Sequence, residues 1–530
     1  MRGYGDHSTL KHFICNMISK KAVQDYLRKQ TESWDWIKSC SIEELDEAAQ
    51  DLDNVPEQWD GARIHQKAMF LLGAKMPHFM FLGDMGVGKT YLSLALIRYH
   101  MRNTGVKKTL VLVPFETSMY EWVDQARQHT PDLRVVALRG STEERWEILG
   151  EDHDIYVLNY QGLPYLAGDM VKKKKKKGSE VKLSTSKINK LKKKFQCFIF
   201  DESTSIKNHM SITFRACSRI SVDAKVRYGL TGTPHGRNPQ DLWAQFFVTD
   251  RGETLGETLG MFREGFFLKK DNIWSGGHTF KFNKRMEDKL NKRIKHRSIR
   301  YRVDECLDLP DKVFKQVRVK LPFQNLSHYE KLKTYLESVR GDQKEVKNTF
   351  IRARQIASGY ASLQDEDEDK IEVVFKHNPK LDALESLVES VPEDKKFVVV
   401  YEYNMTGDLI ERMLKSKKIK GVRLWGQTKD KIGTIRQFKE NKDVKYLLVN
   451  WKSGSKSLNL QMANYMMLVE TPVSSIEREQ LLARIWRGGQ TQTCFFYDLI
   501  ASGTVDEKIQ EYLTEGGDLM GAIVDGTVKL

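Results

Sequence analysis

An α/β fold of two parallel-sheet units with a helical block between them is predicted by three features of the chain. The first is an apolar run at 79–82, then Gly83-Asp84-Met85-Gly86-Val87-Gly88-Lys89-Thr90, then an amphipathic stretch at 91–97. This reads as strand, glycine-rich turn and helix. The second is a series of short apolar runs at 109–114, 135–138, 155–158 and 195–200, separated by polar or helical stretches. That rhythm belongs to strands buried on both faces of a parallel sheet. The third is a similar series from Pro379 onward, with runs at 397–401, 422–425, 445–449 and 465–469 and no glycine-rich turn of its own.

The glycine-rich turn carries the most specific chemistry. Gly83, Gly88, Lys89 and Thr90 have the spacing of a phosphate-binding loop in its strand-to-helix context. Glycines there let backbone N–H groups converge on phosphate oxygens at the positive end of a helix. Lys89 is expected to reach the β- and γ-phosphates, and the Thr90 hydroxyl to ligate Mg²⁺. The plain alternative is a glycine-rich turn without a ligand.

A chain of 530 residues exceeds one ordinary core, so several domains are expected. Its 40% hydrophobic and 30% charged content describes a globular protein. The sequence shows no apolar run long enough to span a bilayer and no signal-peptide pattern, which points away from membranes and secretion. Six scattered cysteines form no CxxC pair, so disulfide frameworks and zinc ribbons are not expected. The net charge of +15 suggests a polyanionic partner. From Lys172 to Lys194, twelve lysines face one acidic residue, Glu180, for a local charge of +11 that leaves +4 elsewhere.

Along the chain, residues 1–60 read as helical, with a capping box at Ser41 and Glu44. Gln66 precedes the phosphate loop. The lysine-rich insert at 171–194 lacks apolar periodicity and is expected to be a mobile, solvated hairpin or loop. The run at 195–200 leads into Asp201 and Glu202, and two carboxylates ending a buried strand are costly without a cation or a chemical role. Asp201 is placed to hold Mg²⁺ and Glu202 to deprotonate an attacking water. Thr231 and Thr233 follow a further strand. Residues 251–375 read as charged helices with an acidic run at 365–369. In the second series, 480–487 reads as a helix with Arg484 and Arg487 on one face, either an ion-pair helix or a pair of arginine fingers.

Taken in order over about 61–512, these motifs resemble the Swi/Snf family of double-stranded DNA translocases within helicase superfamily two. Gln66 falls at the family's adenine-reading glutamine, and Gly83 to Thr90, with Asp84 and Gly86, resembles its first motif. Asp201-Glu202-Ser203-Thr204 is similar to its DEAH element, and Leu230-Thr231-Gly232-Thr233-Pro234 to its LTGTP. Arg300-Tyr301-Arg302 and Leu309-Pro310-Asp311-Lys312 resemble the brace leaving the first lobe. Leu458-Asn459-Leu460-Gln461 resembles GLNL, Gln480 through Gln490 fits QxxxRxxRxGQ, and 503–507 resembles GTxxE. The chain departs from the pattern at Ser203 and Thr204, at Ser455 and Ser457, at Glu470 and at Gly488.

The resemblance implies two RecA-like lobes: a helical segment at 1–60, the ATP-binding lobe at 61–250, a helical protrusion and brace at 251–375, and a helicase C-terminal lobe at 376–530. It implies a compact monomeric motor, of viral or bacterial type, using ATP and Mg²⁺ to move along duplex or branched DNA and remodel forks, junctions or bound proteins. Thr231, Thr233, Asn459 and Gln480 are then expected to couple ATP to DNA. Lys172, Lys173, Lys174, Lys175, Lys176 and Lys177 are expected to grip phosphates. The expected location is the cytoplasm, at a nucleoid or viral replication site, or the nucleus in a eukaryotic host. The alternatives are a strand-separating RNA or DNA helicase, and a clamp on nucleic acid or RNA polymerase with weak ATPase.

Overall fold

The computed structural model describes residues 20–29, 32–172, 179–232, 239–271, 278–338, 343–364, 370–452 and 458–515. Lys173 to Lys177, Thr233, Ser455, Ser457 and the acidic run 365–369 therefore lie outside the described residues. The chain divides into two compact units, Met1–Cys306 and Leu307–Leu530.

The strands of the first unit are β1 (His78–Gly83), β2 (Thr109–Val113), β3 (Val135–Ala137), β4 (Ile155–Asn159), β5 (Gly168–Lys172), β6 (Ser179–Leu183), β7 (Cys197–Asp201), β8 (Val226–Leu230), β9 (Phe267–Asp271), β10 (His278–Phe282) and β11 (Ser298–Tyr301). Seven of them form one sheet in the order β11-β1-β8-β7-β2-β4-β3, with every pairing parallel. Alternate residues feed two cores. Phe79, Phe81, Val111 and Val113 face one layer of helices; Met80, Leu82, Leu110 and Leu112 face the other. Burial on both faces is why these strands read as unbroken apolar runs.

The second unit contains β12 (Lys312–Val319), β13 (Tyr360–Gln364), β14 (Lys370–Val374), β15 (Phe397–Tyr401), β16 (Gly421–Leu424), β17 (Tyr446–Asn450), β18 (Tyr465–Leu468) and β19 (Cys494–Ala501). Its six-stranded sheet runs β12-β19-β18-β15-β17-β16, again all parallel. Val398 and Val400 pack on one side, Val399 and Tyr401 on the other. Two parallel-sheet α/β units are thus the architecture of the chain.

Three local expectations need correction. The stretch 251–375 is not uniformly helical: besides helices Phe323–Ser338 and Gln343–Ala357 it supplies β9 to β14. Within it, β11 pairs with the phosphate-loop strand β1, and β12 pairs with β19. The lysine-rich insert is also divided. β5 and β6 form an antiparallel hairpin, but Thr185–Lys194 is a helix that buries Ile188 and Leu191. These two apolar residues, three apart, are enough to dock its turns among lysines. Its Lys187 donates to Gly168 O at 2.9 Å and pairs with Asp169; Lys194 donates to Leu149 O at 2.6 Å. Finally, the helix expected over 480–487 is Ser475–Leu482 and ends before both arginines. Ile485 is drawn into the core and Arg484 O accepts from Leu460 N, so the chain leaves the helical path there.

Candidate active site

The carboxyl ends of β1, β8 and β7, neighbours in the first sheet, bring the candidate residues together. Beyond β1 the chain turns through Gly86 (φ 91°) and Gly88 (φ 83°), left-handed values that favour glycine. A side chain at Gly83 would meet Val87 Cγ2 at 2.6 Å, so the turn closes on itself only without one. Helix Lys89–Asn103 starts directly after Gly88, with Thr90 as its second residue. Its first-turn amides thus follow the turn, the arrangement that favours a phosphate. Lys89 Nζ donates to Gly83 O at 2.7 Å and Asp84 O at 3.1 Å, which holds its ammonium within the turn.

Two neighbours stiffen this loop. From helix Ile64–Lys75, buried Gln66 receives Arg63 N at its Oε1 (3.0 Å) and donates from Nε2 to Val87 O at 3.4 Å. A Cβ at Gly88 would collide with that Gln66 amide. His65 Nε2 also lies 2.9 Å from Val87 O. Burial pulls the His65 pKa below its ordinary value, which favours the neutral ring as donor. The Asp84 carboxylate accepts Val303 N at 3.2 Å, and Asp84 N donates to Tyr301 O, fastening the loop to β11. A turn anchored on both sides loses little further freedom on binding.

Asp201 ends β7, and Glu202 follows in the left-handed region at φ 47°, ψ 61°. A non-glycine residue there is uncommon, and such strain concentrates at functional sites. The Asp201 carboxylate accepts Trp122 Nε1 at 2.8 Å and Glu202 N at 3.0 Å. Burial, and then the Glu202 charge, push its pKa up to about 6, against the opposing pull of Trp122 and Lys89. A carboxylate so destabilised as an anion is one that a divalent cation would stabilise. Thr231, at the end of β8, donates from Oγ1 to Glu202 Oε2 at 3.3 Å, and its N–H donates to Phe81 O of β1. Ser203 donates to Gln245 Oε1 at 2.8 Å. The serine in place of the family's common alanine is thereby tied to helix Asp241–Asp250. Trp122 and Gln245 carry no sequence motif, and only the fold reveals their contacts.

The remaining candidates belong to the second unit. Arg484 is buried, and Arg487 Nη1 approaches Leu458 O at 3.5 Å. Gln490 Nε2 donates to Gln461 O, Ala463 O and Ile485 O at 3.0–3.1 Å, so it braces the two motif segments against each other. Asn459 Oδ1 accepts Gln461 N at 3.4 Å, and Gln480 lies on helix Ser475–Leu482. Lys172 ends β5.

A phosphate loop beside two strand-end carboxylates, on one of two parallel-sheet units, defines the class of helicase-type ATPases. The SNF2-related domain matches residues 10–370 and the helicase conserved C-terminal domain matches 379–489. The chain belongs to the SNF2-related family and is a DNA-dependent ATPase. It is 26% identical to putative protein p41 of Acyrthosiphon pisum secondary endosymbiont phage 1, over 81% of this chain and 90% of that protein. It is 23% identical to putative helicase 172L of invertebrate iridescent virus 6, over 84% and 85%. With DNA repair and recombination protein RAD54 of Saccharomyces cerevisiae it shares 28% identity, over 61% of this chain but only 39% of that one. The Sulfolobus solfataricus SWI2/SNF2 ATPase core in complex with dsDNA aligns with a TM-score of 0.39 and 22% identity, over 86% of this chain and 91% of that one.

Proposed function

We propose that this ATPase is a motor that moves along duplex or branched DNA and remodels forks, junctions or bound proteins in replication, recombination or repair. The observation that carries the catalytic part is the convergence of Lys89, Asp201, Glu202 and Thr231 at three adjacent strand ends, with Glu202 held in a strained backbone conformation by its neighbours. Support for DNA as track comes from family membership and from relatives whose names include a DNA repair and recombination protein.

In this reading the glycine-rich turn and Lys89 bind the phosphates of ATP, and Gln66 contacts its base. Thr90 and Asp201 would hold Mg²⁺, which supplies charge neutralisation for the transferred phosphoryl group. Glu202 orients and deprotonates the attacking water, and Thr231 fixes the Glu202 carboxylate. Arg484 and Arg487 stabilise transition-state charge. Asn459, Gln480 and the lysines Lys172 to Lys177 contact DNA. Of the following helix, Lys187, Lys192 and Lys194 already serve the protein itself, which favours the lysines ahead of it for that role.

The test is a side-by-side ATPase measurement with single-stranded, duplex, forked and four-way DNA and with RNA. Stimulation greatest with duplex or branched DNA, without length-dependent separation of a tailed duplex, is expected. Preferential stimulation by RNA, or processive strand separation, would replace the translocase reading with that of an unwinding helicase.

A further inference from the structure

A cavity of about 340 Å³ in the second unit is lined by residues that none of the chemistry above uses. Helix Phe323–Ser338 contributes His328, Lys331 and Leu332. Helix Gln343–Ala357 contributes Arg352 and Ile356, one turn apart, and β13 contributes Ala361 and Ser362. We propose that this cavity binds a phosphate-bearing group about the size of one nucleotide.

The lining chemistry selects the ligand. Among its described lining residues the ionisable side chains are an arginine, a lysine and a histidine, without a carboxylate; the nearest across the hairpin is Glu372, the strand partner of Ser362. Two residues beyond Arg352, Arg354 is engaged through both terminal nitrogens, by Glu402 and by Thr471 O. For Arg352 and Lys331 no ion pair occurs among the described residues. Nearby Lys333, by contrast, is 3.9 Å from Glu330. Permanent cations grouped at a concavity repel one another and favour an anion between them. A guanidinium offers its donors in a fork that matches phosphate oxygens, and an ammonium adds a point charge. The ring of His328 is kept in place by stacking on Phe375, centroids 5.5 Å apart, and Ser362 adds a hydroxyl. Leu332, Ile356 and Ala361 form an apolar wall, so the ligand carries an uncharged organic part as well as the phosphate. The volume lies near the lower end of small-ligand sites, roughly 300–1,000 Å³. That suits a mononucleotide or one sugar-phosphate unit of a chain.

Two sources share this chemistry: the phosphodiester of DNA, which rests on the motor reading above, and a free nucleotide, which does not. The full chain and its Lys331→Ala/Arg352→Ala variant separate them. In the first arm, affinity for a labelled duplex is measured against salt. A DNA source predicts that the slope of log K against log salt flattens by about 1.8, two phosphate contacts at about 0.9 each. In the second arm, thymidine 5′-monophosphate is titrated calorimetrically. A free-nucleotide source predicts binding by the parent chain that weakens by at least about tenfold in the variant, the scale of one charged hydrogen bond lost. Thermal melts and DNA-independent ATPase are expected to stay unchanged, because both side chains reach solvent and neither belongs to the candidate active site. Failure of the parent chain to bind DNA would count against the motor reading alone, with the mononucleotide arm still decisive for the cavity. If the variant matches its parent in both arms, the cavity is no phosphate site. If the variant binds DNA more tightly, the two cations do not serve a phosphate, and the proposal falls as well.

Discussion

At the carboxyl ends of β1, β7 and β8, the first unit keeps its charges in tension, whereas at the ends of β15, β17 and β18 the second unit neutralises them. Asp201 and Glu202 are adjacent carboxylates, one with a raised pKa and the other on strained backbone. In the second unit, Glu402 follows β15 and is met by Arg354 and by Lys452, and Asn450 Nδ2 donates to its carbonyl at 2.6 Å. Glu470, the departure from the family's aspartate, accepts Glu402 N at 2.6 Å, Tyr403 N at 3.1 Å and the Thr406 hydroxyl at 2.6 Å. Arg478 grips Asp498 with two contacts of 2.6 Å. Burial raises the Glu402 pKa, but Arg354 and Lys452 outweigh it and hold the carboxyl below its ordinary value. The same strand-end position thus holds a candidate reaction centre in one sheet and a satisfied anchor in the other. Electrostatic tension that the fold leaves unrelieved marks where a ligand or a reaction supplies the missing partner.

The largest expected effect breaks the reactive side. Glu202→Gln removes the candidate base but keeps the size and the Thr231 contact. Turnover should fall by about 10²–10⁴-fold with ATP and DNA binding retained. Stability should change by less than about 1 kcal/mol, since one hydrogen bond of ordinary strength is altered. Parental turnover in single-cycle hydrolysis would remove Glu202 from that role.

The anchor should respond in the opposite way. Arg354→Ala leaves Glu402 buried without its main counter-charge, a loss of roughly 3–5 kcal/mol for the second unit. Replacing both partners, Arg354→Met with Glu402→Leu, removes both buried charges, and Lys452, 56% exposed at its side chain, turns to solvent. The double variant should therefore melt at a higher temperature than the single. A double variant less stable than Arg354→Ala would show that the cluster does more than balance charge.

How far this contrast was legible in the sequence differs between the two sides. The phosphate loop, Asp201, Glu202 and the central strands announce themselves because each lies within a short contiguous run, where spacing fixes geometry. The edge strands β11 and β12 carry no such signal: β12 has only half-exposed and exposed residues and so lacks the apolar run of a buried strand, and β11 is four residues long with Ser298 and Arg300 among them. Arg484 and Arg487 were placed on a helix face by their three-residue spacing. Tertiary burial of Ile485 overrode that local pattern. The anchor was invisible, because Arg354, Glu402, Lys452 and Glu470 are scattered over more than a hundred residues and only the sheet order brings them together.

The smallest effect, and the sharpest test of the tension, lies at Asp201. Its pKa is raised to about 6, first by burial and then by Glu202, while an unfolded aspartate titrates near 3.9. Below about pH 4 both states hold the proton, and the site adds no cost. Between about pH 4 and pH 6 the unfolded chain ionises first, so stability falls as pH rises. Above about pH 6 both states are ionised and the cost is complete, on the order of 1–3 kcal/mol for a shift of about two units. Asp201→Asn removes the charge and keeps the shape, but its NH2 cannot accept, so one of the two hydrogen bonds from Trp122 Nε1 and Glu202 N is given up and offsets part of the gain. The first unit should then melt a few degrees higher than the parent at pH 8, and the difference should shrink as the pH approaches 4. Mg²⁺-dependent ATPase should be lost at every pH, because the amide offers the ion no anionic ligand. Thermal melts of both proteins at pH 4.5, 6 and 8 check the first part, and turnover assays the second. A variant no more stable than the parent at pH 8 would mean that Trp122 and the Glu202 amide already satisfy the carboxylate. The contrast between a strained first unit and a relaxed second would then rest on the Glu202 backbone alone.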